Sequence, residues 1–299
     1  MTASSRIIIL GGAGMLGHKM FQVLRRRFLD VFCTIRGTGK DKPFDRIELL
    51  QGDDVVGGVD VTKFDELRDL LGRLRPRFII NCAGIIKQRA EAAITVPSIQ
   101  INSLLPHVLC ELADKWGGRV MHFSTDCVFS GKKGCYTEED TSDAEDLYGR
   151  TKFLGEVTGP NALTLRTSMI GRELARHRSL LDWFLSQNNG TVRGFRKAIY
   201  AGVTTNHLAD TVADIVENRP ELSGLYQVAS KPISKFDLLC LLRDAYRLRI
   251  EIQPDDNEVC DRSMLGLKFT KATGLTCPDW PQLVQQLASD PTPYERWLS

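Results

Sequence analysis

Residues 6–17 read Arg-Ile-Ile-Ile-Leu-Gly-Gly-Ala-Gly-Met-Leu-Gly, and this stretch decides the fold. Its apolar run, Ile7 to Leu10, is unbroken, as is typical of a parallel strand buried on both faces. Glycines follow the run at a spacing of three residues, at Gly11, Gly14 and Gly17. Behind them the apolar residues recur at every fourth position, which predicts an amphipathic helix: Leu16, Met20, Leu24 and Phe28.

A strand, a glycine turn and a helix in this order predict a site for the pyrophosphate of a dinucleotide. Glycines let the backbone approach a pyrophosphate that a side chain would exclude, and the helix N-terminus presents free N–H groups to the anion. A glycine triplet alone is a weak signal, but its position between strand and helix favours a cofactor loop over a plain tight turn. The residues expected to contact the cofactor here are Gly11, Gly14, Met15, Leu16 and Gly17.

Composition excludes several classes of function. The 299 residues suffice for one large domain, or for a domain with an appended lobe. With 39 basic and 37 acidic residues, there is no electrostatic case for binding nucleic acid or an anionic membrane. No apolar run approaches the roughly 20 residues of a membrane span, and we see no signal peptide. The eight cysteines form no C-x-x-C pair and the histidines are scattered, so we expect reduced thiols, no metal and a cytoplasmic protein.

The second strand is predicted between Asp30 and Arg36, and its last residue bears on cofactor choice. In a dinucleotide fold this position faces the adenosine ribose, where an acid bonds the 2′-hydroxyl and an arginine pairs with a 2′-phosphate. Arg36 lies 25 positions after Gly11, close to the expected offset. A solvated loop arginine is the alternative interpretation. The sequence therefore favours NADPH as cofactor, with NADH as the second choice.

Strands and helices continue to alternate along the chain. We predict a third strand that ends at 59–61, further strands at 78–84 and 120–123, and helices at 62–74 and 98–116, with Thr62 and Asp65 in capping-box spacing. Repeated right-handed βα units predict a Rossmann-type, doubly wound parallel sheet. Beyond it we expect a smaller C-terminal α/β lobe that binds substrate. Residues 1–170 would form the dinucleotide-binding domain and 171–299 mainly the lobe, with the segment at about 200–225 packing back on the first domain.

In the C-terminal part of the chain the residue patterns are less regular, and they predict four helices and one strand. The helices are expected at 179–187, 204–217 (capped by Thr205 or Asn206), 234–246 and 282–288, and the strand at 224–229. A basic run of Arg193, Arg196 and Lys197 either grips a diphosphate or is a solvated loop.

Tyr148 and Lys152 open the helix that follows the fifth strand, and they lie one turn apart on one face. A free tyrosine titrates near pH 10, which makes it a poor acid at neutral pH. A lysine ammonium nearby, together with the charge of an oxidised nicotinamide, would lower this pKa. Tyr148 could then protonate a carbonyl oxygen while hydride reaches the carbon, and Lys152 could hold the nicotinamide ribose. Thr125, 23 positions before Tyr148, can hydrogen-bond the same carbonyl; an exposed helical pair is the alternative.

Several of these motifs together resemble the extended short-chain dehydrogenase/reductase superfamily. They are the glycine triplet, Asp60-Val61, Asn81-Cys-Ala-Gly84, Thr125 and Tyr148-x-x-x-Lys152. Three further stretches, 123–131, 148–156 and 165–168, resemble the dTDP-4-dehydrorhamnose reductase family, and the resemblance is strong to about position 171. It implies NAD(P)H-dependent reduction of the C4 ketone of a nucleotide-linked 4-keto-6-deoxy sugar, in deoxysugar and polysaccharide biosynthesis.

The resemblance also implies roles for individual residues. Tyr148 would be the acid, Lys152 its electrostatic partner, and Thr125 the donor that orients the carbonyl. Residues implied to contact the cofactor are Asp60 and Val61 at the adenine, then Cys82, Ala83 and Gly84, together with Tyr148 and Lys152. Residues implied to line the sugar pocket are Asp126, Cys127 and Met169. A homodimer through the helices that start near Ser98 and Tyr148 is implied in the same way.

Two departures from the family pattern affect substrate identity. Position 127 is Cys where the family usually has Tyr, and position 169 is Met where Trp is common. Related dehydratases place a Glu where this chain has Cys127, so dehydration is disfavoured. A nucleotide-sugar epimerase on the same scaffold stays open, as does a non-catalytic NADP-binding regulatory subunit. The intact set of Thr125, Tyr148 and Lys152 argues against the regulatory alternative.

Overall fold

The computed structural model describes residues 6–86, 94–175 and 179–298. Its strands are β1 (Ile7–Leu10), β2 (Val31–Thr34), β3 (Val55–Val56), β4 (Phe78–Asn81), β5 (Arg119–Ser124), β6 (Ala162–Arg166), β7 (Met169–Ile170), β8 (Thr191–Phe195), β9 (Ala198–Tyr200), β10 (Val203–Thr204), β11 (Gly224–Gln227), β12 (Ile233–Ser234), β13 (Glu251–Asp255) and β14 (Cys260–Asp261). Its α-helices are α1 (Met15–Arg27), α2 (Phe64–Leu74), α3 (Thr95–Ser98), α4 (Leu105–Asp114), α5 (Leu147–Leu154), α6 (Leu180–Ser186), α7 (Thr205–Asn218), α8 (Lys235–Ala245), α9 (Leu267–Thr273), α10 (Trp280–Ala288) and α11 (Tyr294–Leu298).

Seven parallel strands form the central sheet, in the order β11-β6-β5-β4-β1-β2-β3. The order reverses at β1, so the chain winds outward in both directions from the boundary between β1 and β4. In open sheets of this kind a ligand lies beyond the carboxyl ends of the strands at such a reversal. All four side chains of β1 are fully buried, which explains its unbroken apolar run. The predicted doubly wound parallel sheet is confirmed.

Helices cover both faces of this sheet. On one face α1 and α7 pack together, and their buried residues include Met20, Phe21, Leu24, Leu208 and Val212. On the other face α2 and α4 contribute a second apolar cluster, which includes Leu67, Leu71, Leu105 and Leu109. Burying one such side chain stabilises the fold by about 1.5–3 kcal/mol relative to leaving it exposed. Helices therefore pack on both faces of the sheet, and the loops lie at the carboxyl ends of its strands.

The third strand lies earlier than the sequence indicates. It is Val55–Val56, and the predicted strand end at 59–61 is wrong. Gly58 has a φ of +75°, which turns the chain out of the sheet, although Val59 still donates a hydrogen bond to the Ile35 carbonyl at 3.0 Å. Asp60 and Thr62 in this segment consequently line a cleft, while Val59 and Val61 pack against the apolar cluster under α2.

Two predicted helix caps are also wrong. Asp60 Oδ1 accepts hydrogen bonds from the Thr62 N–H at 3.0 Å and from its hydroxyl at 2.8 Å, so Thr62 does not cap α2. That helix begins at Phe64 after Lys63, with no side-chain cap. At α7 the cap is Thr204, whose hydroxyl accepts the His207 N–H at 3.2 Å, rather than either residue after it.

The helix predicted at 98–116 begins earlier and contains a π-helical segment. It runs from Thr95 to Asp114, with residues 99–104 in π conformation between α3 and α4. Gly117, with a φ of +70°, follows its end, as expected for a glycine stop signal.

The C-terminal residues build a second apolar core from α6, α8 and α10. Its fully buried members include Leu181, Phe184, Leu238, Leu242 and Leu283. Two small sheets border it, one pairing β8 with β13 and one ordered β12-β9-β14. β11 instead joins the central sheet beside β6. Among the residues that the structure describes, no helix is long and apolar enough to span a membrane.

Candidate active site

The glycine loop forms a tight turn between β1 and α1. Gly11 has a φ of +82°, and a Cβ there would lie 3.0 Å from the Ala83 nitrogen, so the backbones of the loop and of the segment after β4 touch. A Cβ on Gly17 would overlap the Gly11 carbonyl oxygen. Gly14 precedes α1, and no side-chain hydrogen bond caps the helix there, which leaves its first N–H groups free. This geometry fits the pyrophosphate site that the glycine pattern predicts.

A cleft of about 260 Å³ lies between the segments that follow β2, β3 and β4 and the helical residues Pro97, Gln100 and Ile101. Its lining brings together Arg36, which is exposed after β2, and Asp60 from the segment after β3. Hydrogen bonds from Thr62 lower the pKa of Asp60, and the charge of Arg36 adds to this effect. Val61 packs against the apolar cluster under α2. The cleft therefore unites the two residues that the sequence assigns to opposite ends of the adenosine moiety.

Tyr148 is placed by the start of α5. Asp146 caps this helix by accepting the Gly149 N–H at 2.7 Å. A Cβ on Gly149 would overlap the Cys127 carbonyl oxygen, so α5 packs directly on the short 3-10 turn at 126–128. Thr125 caps that turn, its hydroxyl accepting the Cys127 N–H at 3.1 Å. Close packing of two helix starts thus sets Tyr148 beside Thr125 at the carboxyl edge of β5.

The protein groups around Tyr148 do not lower its pKa, contrary to the sequence expectation. Burial raises the pKa of Tyr148 well above its usual value, and the neighbouring Cys127 and Asp126 act in the same direction. The hydroxyl of Thr125, which interacts with the phenol, opposes the increase. Tyr148 is consequently a protonated phenol at neutral pH.

Lys152 is buried, and its amine is turned toward β5. Its Nζ donates to the Phe123 carbonyl at 2.6 Å and lies 3.2 Å from Nε2 of His122. The other ring nitrogen of His122 lies 3.1 Å from the amide nitrogen of Asn81, so a polar chain crosses the sheet beneath the site. Burial lowers the pKa of Lys152 to about 8. In the sequence, Asn81 stands out only as part of the motif at 81–84 and His122 is not singled out, although a histidine inside an apolar strand was an available signal.

Of the residues that the sequence assigns to the sugar pocket, Asp126 and Cys127 lie in the turn that follows β5, and Met169 lies in β7. Asp126 is buried, and this burial raises its pKa. Burial also raises the pKa of the Cys127 thiol to about 12, so the thiol stays protonated at neutral pH. Met169 is half-buried in β7, next to Ser168. Cys82, Ala83 and Gly84 follow β4, and the backbone of Ala83 lies against Gly11 of the glycine loop.

Two further residues near this pocket carry no signal in the sequence. Tyr200 is 8% exposed, and its hydroxyl has no hydrogen-bond partner among the described residues. Arg262 is half-buried, donates from Nε to the Phe129 carbonyl at 2.8 Å, and interacts electrostatically with Cys127 and Asp126. Both residues lie more than 70 positions after β5 in the sequence, so only the folded chain brings them close to the turn at 126–128.

Other polar groups lie away from this edge. Arg193 and Arg196 form ion pairs with Asp255 and Asp256, so two of the three cations in the basic run are neutralised by the adjacent strand. Within the described ranges no cluster of His, Cys, Asp or Glu could hold a metal ion, and all eight cysteines are unpaired.

Comparison with known proteins assigns this chain to a family. Residues 5–289 match the family model described as the RmlD substrate binding domain. The chain belongs to this family. Two relatives are dTDP-4-dehydrorhamnose reductase of Aggregatibacter actinomycetemcomitans and methionine adenosyltransferase 2 subunit beta of Mus musculus. The first is 24% identical over 98% of this chain and 97% of its own length, and the second is 24% identical over 92% and 81%.

A solved structure shares the fold of this chain. It is dTDP-4-dehydrorhamnose reductase from Bacillus anthracis str. Ames in complex with NADP, with a TM-score of 0.78, 18% identity and coverage of 95% of this chain and 98% of that chain. The resemblance to extended short-chain dehydrogenases/reductases, and to the dTDP-4-dehydrorhamnose reductase family among them, is thereby confirmed.

Proposed function

We propose that this chain is an NADPH-preferring reductase that acts on the keto group of a nucleotide-linked 4-keto-6-deoxy sugar. The observation that carries the proposal is the placement of Tyr148 beside Thr125 at the carboxyl edge of β5, with the glycine loop at the neighbouring reversal of strand order. Membership of the RmlD family and the relatives named as dTDP-4-dehydrorhamnose reductases support it.

Reduction of a ketone needs a hydride at carbon and a proton at oxygen, and the nicotinamide cofactor supplies the hydride when bound. Tyr148 donates the proton: its phenol is protonated at neutral pH, and positive charge near the developing phenolate has to offset the rise in pKa that burial causes. The Thr125 hydroxyl hydrogen-bonds the same carbonyl oxygen and fixes its direction. Lys152, whose amine is held by Phe123 and His122, lies one helical turn from Tyr148 and would supply positive charge on the same side of α5 as negative charge develops on the phenol.

The cofactor residues proposed for this reaction lie in the glycine loop, in the segments after β2, β3 and β4, and at the start of α5. They are Gly11, Gly14, Met15, Leu16, Gly17, Arg36, Asp60, Val61, Cys82, Ala83, Gly84, Tyr148 and Lys152. The N-terminus of α1 would hold the pyrophosphate, and Arg36 would pair with the 2′-phosphate of NADPH.

Replacing Arg36 by Glu should shift cofactor preference toward NADH. The change removes a charge-assisted pairing with the 2′-phosphate and adds repulsion, so we expect the NADPH/NADH ratio of kcat/KM to fall by about 10- to 100-fold. Steady-state kinetics with each cofactor measures this ratio. Arg26→Glu, the same charge change on an exposed arginine of α1, serves as the control. An unchanged ratio in the Arg36 variant would show that this residue does not read the 2′-phosphate.

The substrate is tested by following NADPH consumption at 340 nm with dTDP-, UDP- and GDP-linked 4-keto-6-deoxy sugars. Turnover of one of them would establish the reaction class and the substrate together. Isomerisation of the sugar without net NADPH consumption would favour the epimerase alternative instead.

A regulatory subunit is the second candidate, because one group of relatives carries the name methionine adenosyltransferase 2 subunit beta. This alternative predicts that the purified protein binds NADPH and turns over none of the nucleotide sugars. The three retained residues of the reductase constellation, Thr125, Tyr148 and Lys152, are the reason to prefer the enzyme.

We also propose that the protein forms a homodimer through one face. The 95–104 segment and α5 lie side by side and expose apolar side chains, with relative exposures of 64% for Val96, 45% for Leu104, 41% for Phe153 and 61% for Leu154. Two copies related by a two-fold axis would bury this face against itself.

Substituting Leu104 and Phe153 by Glu should convert that dimer to monomer, because four like charges would be buried across one two-fold axis. Light scattering coupled to size exclusion measures the mass. The control is Leu29→Glu, which alters a fully exposed leucine outside the face. A wild-type mass equal to one chain would contradict the proposal.

A further inference from the structure

His18 is the first residue after the glycine loop, and it is completely buried. Its Nδ1 lies 2.8 Å from the Gly14 carbonyl oxygen. Since a carbonyl only accepts, Nδ1 carries the proton and donates. Its Nε2 lies 2.8 Å from the hydroxyl of Tyr294, which therefore donates to it. A continuous hydrogen-bonded chain thus joins a phenol to the peptide group that precedes α1.

Tyr294 comes from α11, 276 positions away along the sequence, and its ring is fixed by two cations. Arg172 lies 4.8 Å and the Lys19 amine 5.5 Å from the ring centroid. The same amine donates to Asp290 at 2.5 Å and to Thr292 at 2.9 Å, in the segment that leads into α11. The C-terminal segment is therefore fastened to α1 by buried polar contacts as well as by apolar packing.

Near pH 7 the donors and acceptors of the hydrogen bonds around His18 keep their roles. Burial lowers the pKa of His18 to about 4, so the imidazole is neutral near pH 7. A neutral ring keeps one donor and one acceptor, and each has a partner here. Asp290 stays ionised: although burial favours its neutral form, the hydrogen bond from Lys19 holds its pKa at about 2.

We propose that Tyr294 is a positioning residue that holds the Gly14 peptide group through His18, and so sets the affinity of the glycine loop for a dinucleotide pyrophosphate. The inference rests on the proposed function in one respect, that this loop binds a dinucleotide. The Gly14 carbonyl accepts both the His18 ring at 2.8 Å and the His18 backbone N–H at 3.1 Å, while the Gly14 N–H donates back to Gly11 at 3.0 Å. The orientation of the Gly14 peptide group therefore fixes the start of α1, where the free N–H groups would bind the pyrophosphate.

Tyr294→Phe tests this inference, because it keeps the ring and removes only the donor. The substitution leaves Nε2 of His18 buried without a partner, and the ring then moves to find one. We expect the Kd of NADPH, from its fluorescence on binding, to rise about tenfold. The Kd of adenosine 2′-monophosphate, which lacks the pyrophosphate and occupies only the adenosine end, should stay within about twofold.

Two further variants separate positioning from general destabilisation. Tyr246→Phe removes another phenol hydroxyl, which donates to the Leu287 carbonyl at 3.2 Å, and it should leave both Kd values unchanged. In a His18→Leu background the additional effect of Tyr294→Phe should vanish, because the connection to Gly14 is already broken.

The outcomes are distinct. The positioning role would be overturned if Tyr294→Phe weakened the binding of NADPH and of adenosine 2′-monophosphate equally, or left the Kd of NADPH unchanged. It would also be overturned if Tyr294→Phe had its full effect in the His18→Leu background. Wild-type protein that binds neither compound would overturn the proposed function, and the inference with it.

Discussion

Replacing Tyr148 by Phe should lower kcat for ketone reduction by on the order of 10²–10⁴-fold, the contribution of a positioned proton donor. The phenylalanine ring fills the same space between α5 and the turn at 126–128, but no group remains to protonate the carbonyl oxygen. NADPH affinity should be retained, since no cofactor contact in the glycine loop or the cleft changes. Stopped-flow measurement of a single turnover isolates the chemical step from product release.

The matched control is Tyr226→Phe, which removes a hydroxyl from a half-buried tyrosine of β11 that packs against Phe269. Its kcat should remain that of the wild type. Wild-type turnover in the Tyr148 variant would remove this residue as the acid and leave Thr125 as the remaining donor at the carbonyl.

Gly17→Ala should weaken NADPH binding by about 10- to 100-fold. The added Cβ would occupy the position of the Gly11 carbonyl oxygen, so the loop must open by a backbone shift. Forcing an extra methyl group into a close-packed site costs roughly 1–3 kcal/mol, which converts to this loss if the displaced loop is the binding element. Fluorescence titration with NADPH gives the Kd.

Gly72→Ala is the control for that experiment, because a Cβ at this exposed position of α2 meets nothing within 4 Å. It should bind NADPH normally and gain about 0.5–1 kcal/mol in free energy of unfolding from the better helix propensity of alanine. Circular dichroism of both variants verifies the fold. Undiminished binding in the Gly17 variant would mean that the pyrophosphate does not sit on this loop.

The sequence alone predicts those parts of the structure that are determined by interactions between residues close together along the chain. The apolar run at 7–10 specifies a buried strand, and the glycine at position 11 supplies the positive φ of the turn that follows it. Helical spacing from Leu16 onward then predicts α1. Alternation of such units gives the parallel sheet and thereby the edge to which Thr125 and Tyr148 are delivered, since short right-handed connections leave few other topologies.

Local patterns fail where long-range contacts compete with them. Val59–Val61 has strand propensity, but β2 is already paired with Val55–Val56, and two glycines carry the chain away. Thr62 has the spacing of a helix cap, but its hydroxyl is taken by Asp60. In both cases the residue types fit two structures equally well, and tertiary packing selects one.

The tertiary structure alone decides the electrostatics of the site and the support of its loop. Tyr148 and Lys152 sit one helical turn apart in any helix, yet burial raises the pKa of the first and lowers that of the second, and no sequence spacing encodes burial. The contact of His18 with Tyr294 spans 276 positions. Residues so distant meet only because the C-terminal segment folds back on α1, so the sequence specifies the chemistry of the phosphate loop while the fold supplies what holds it in place.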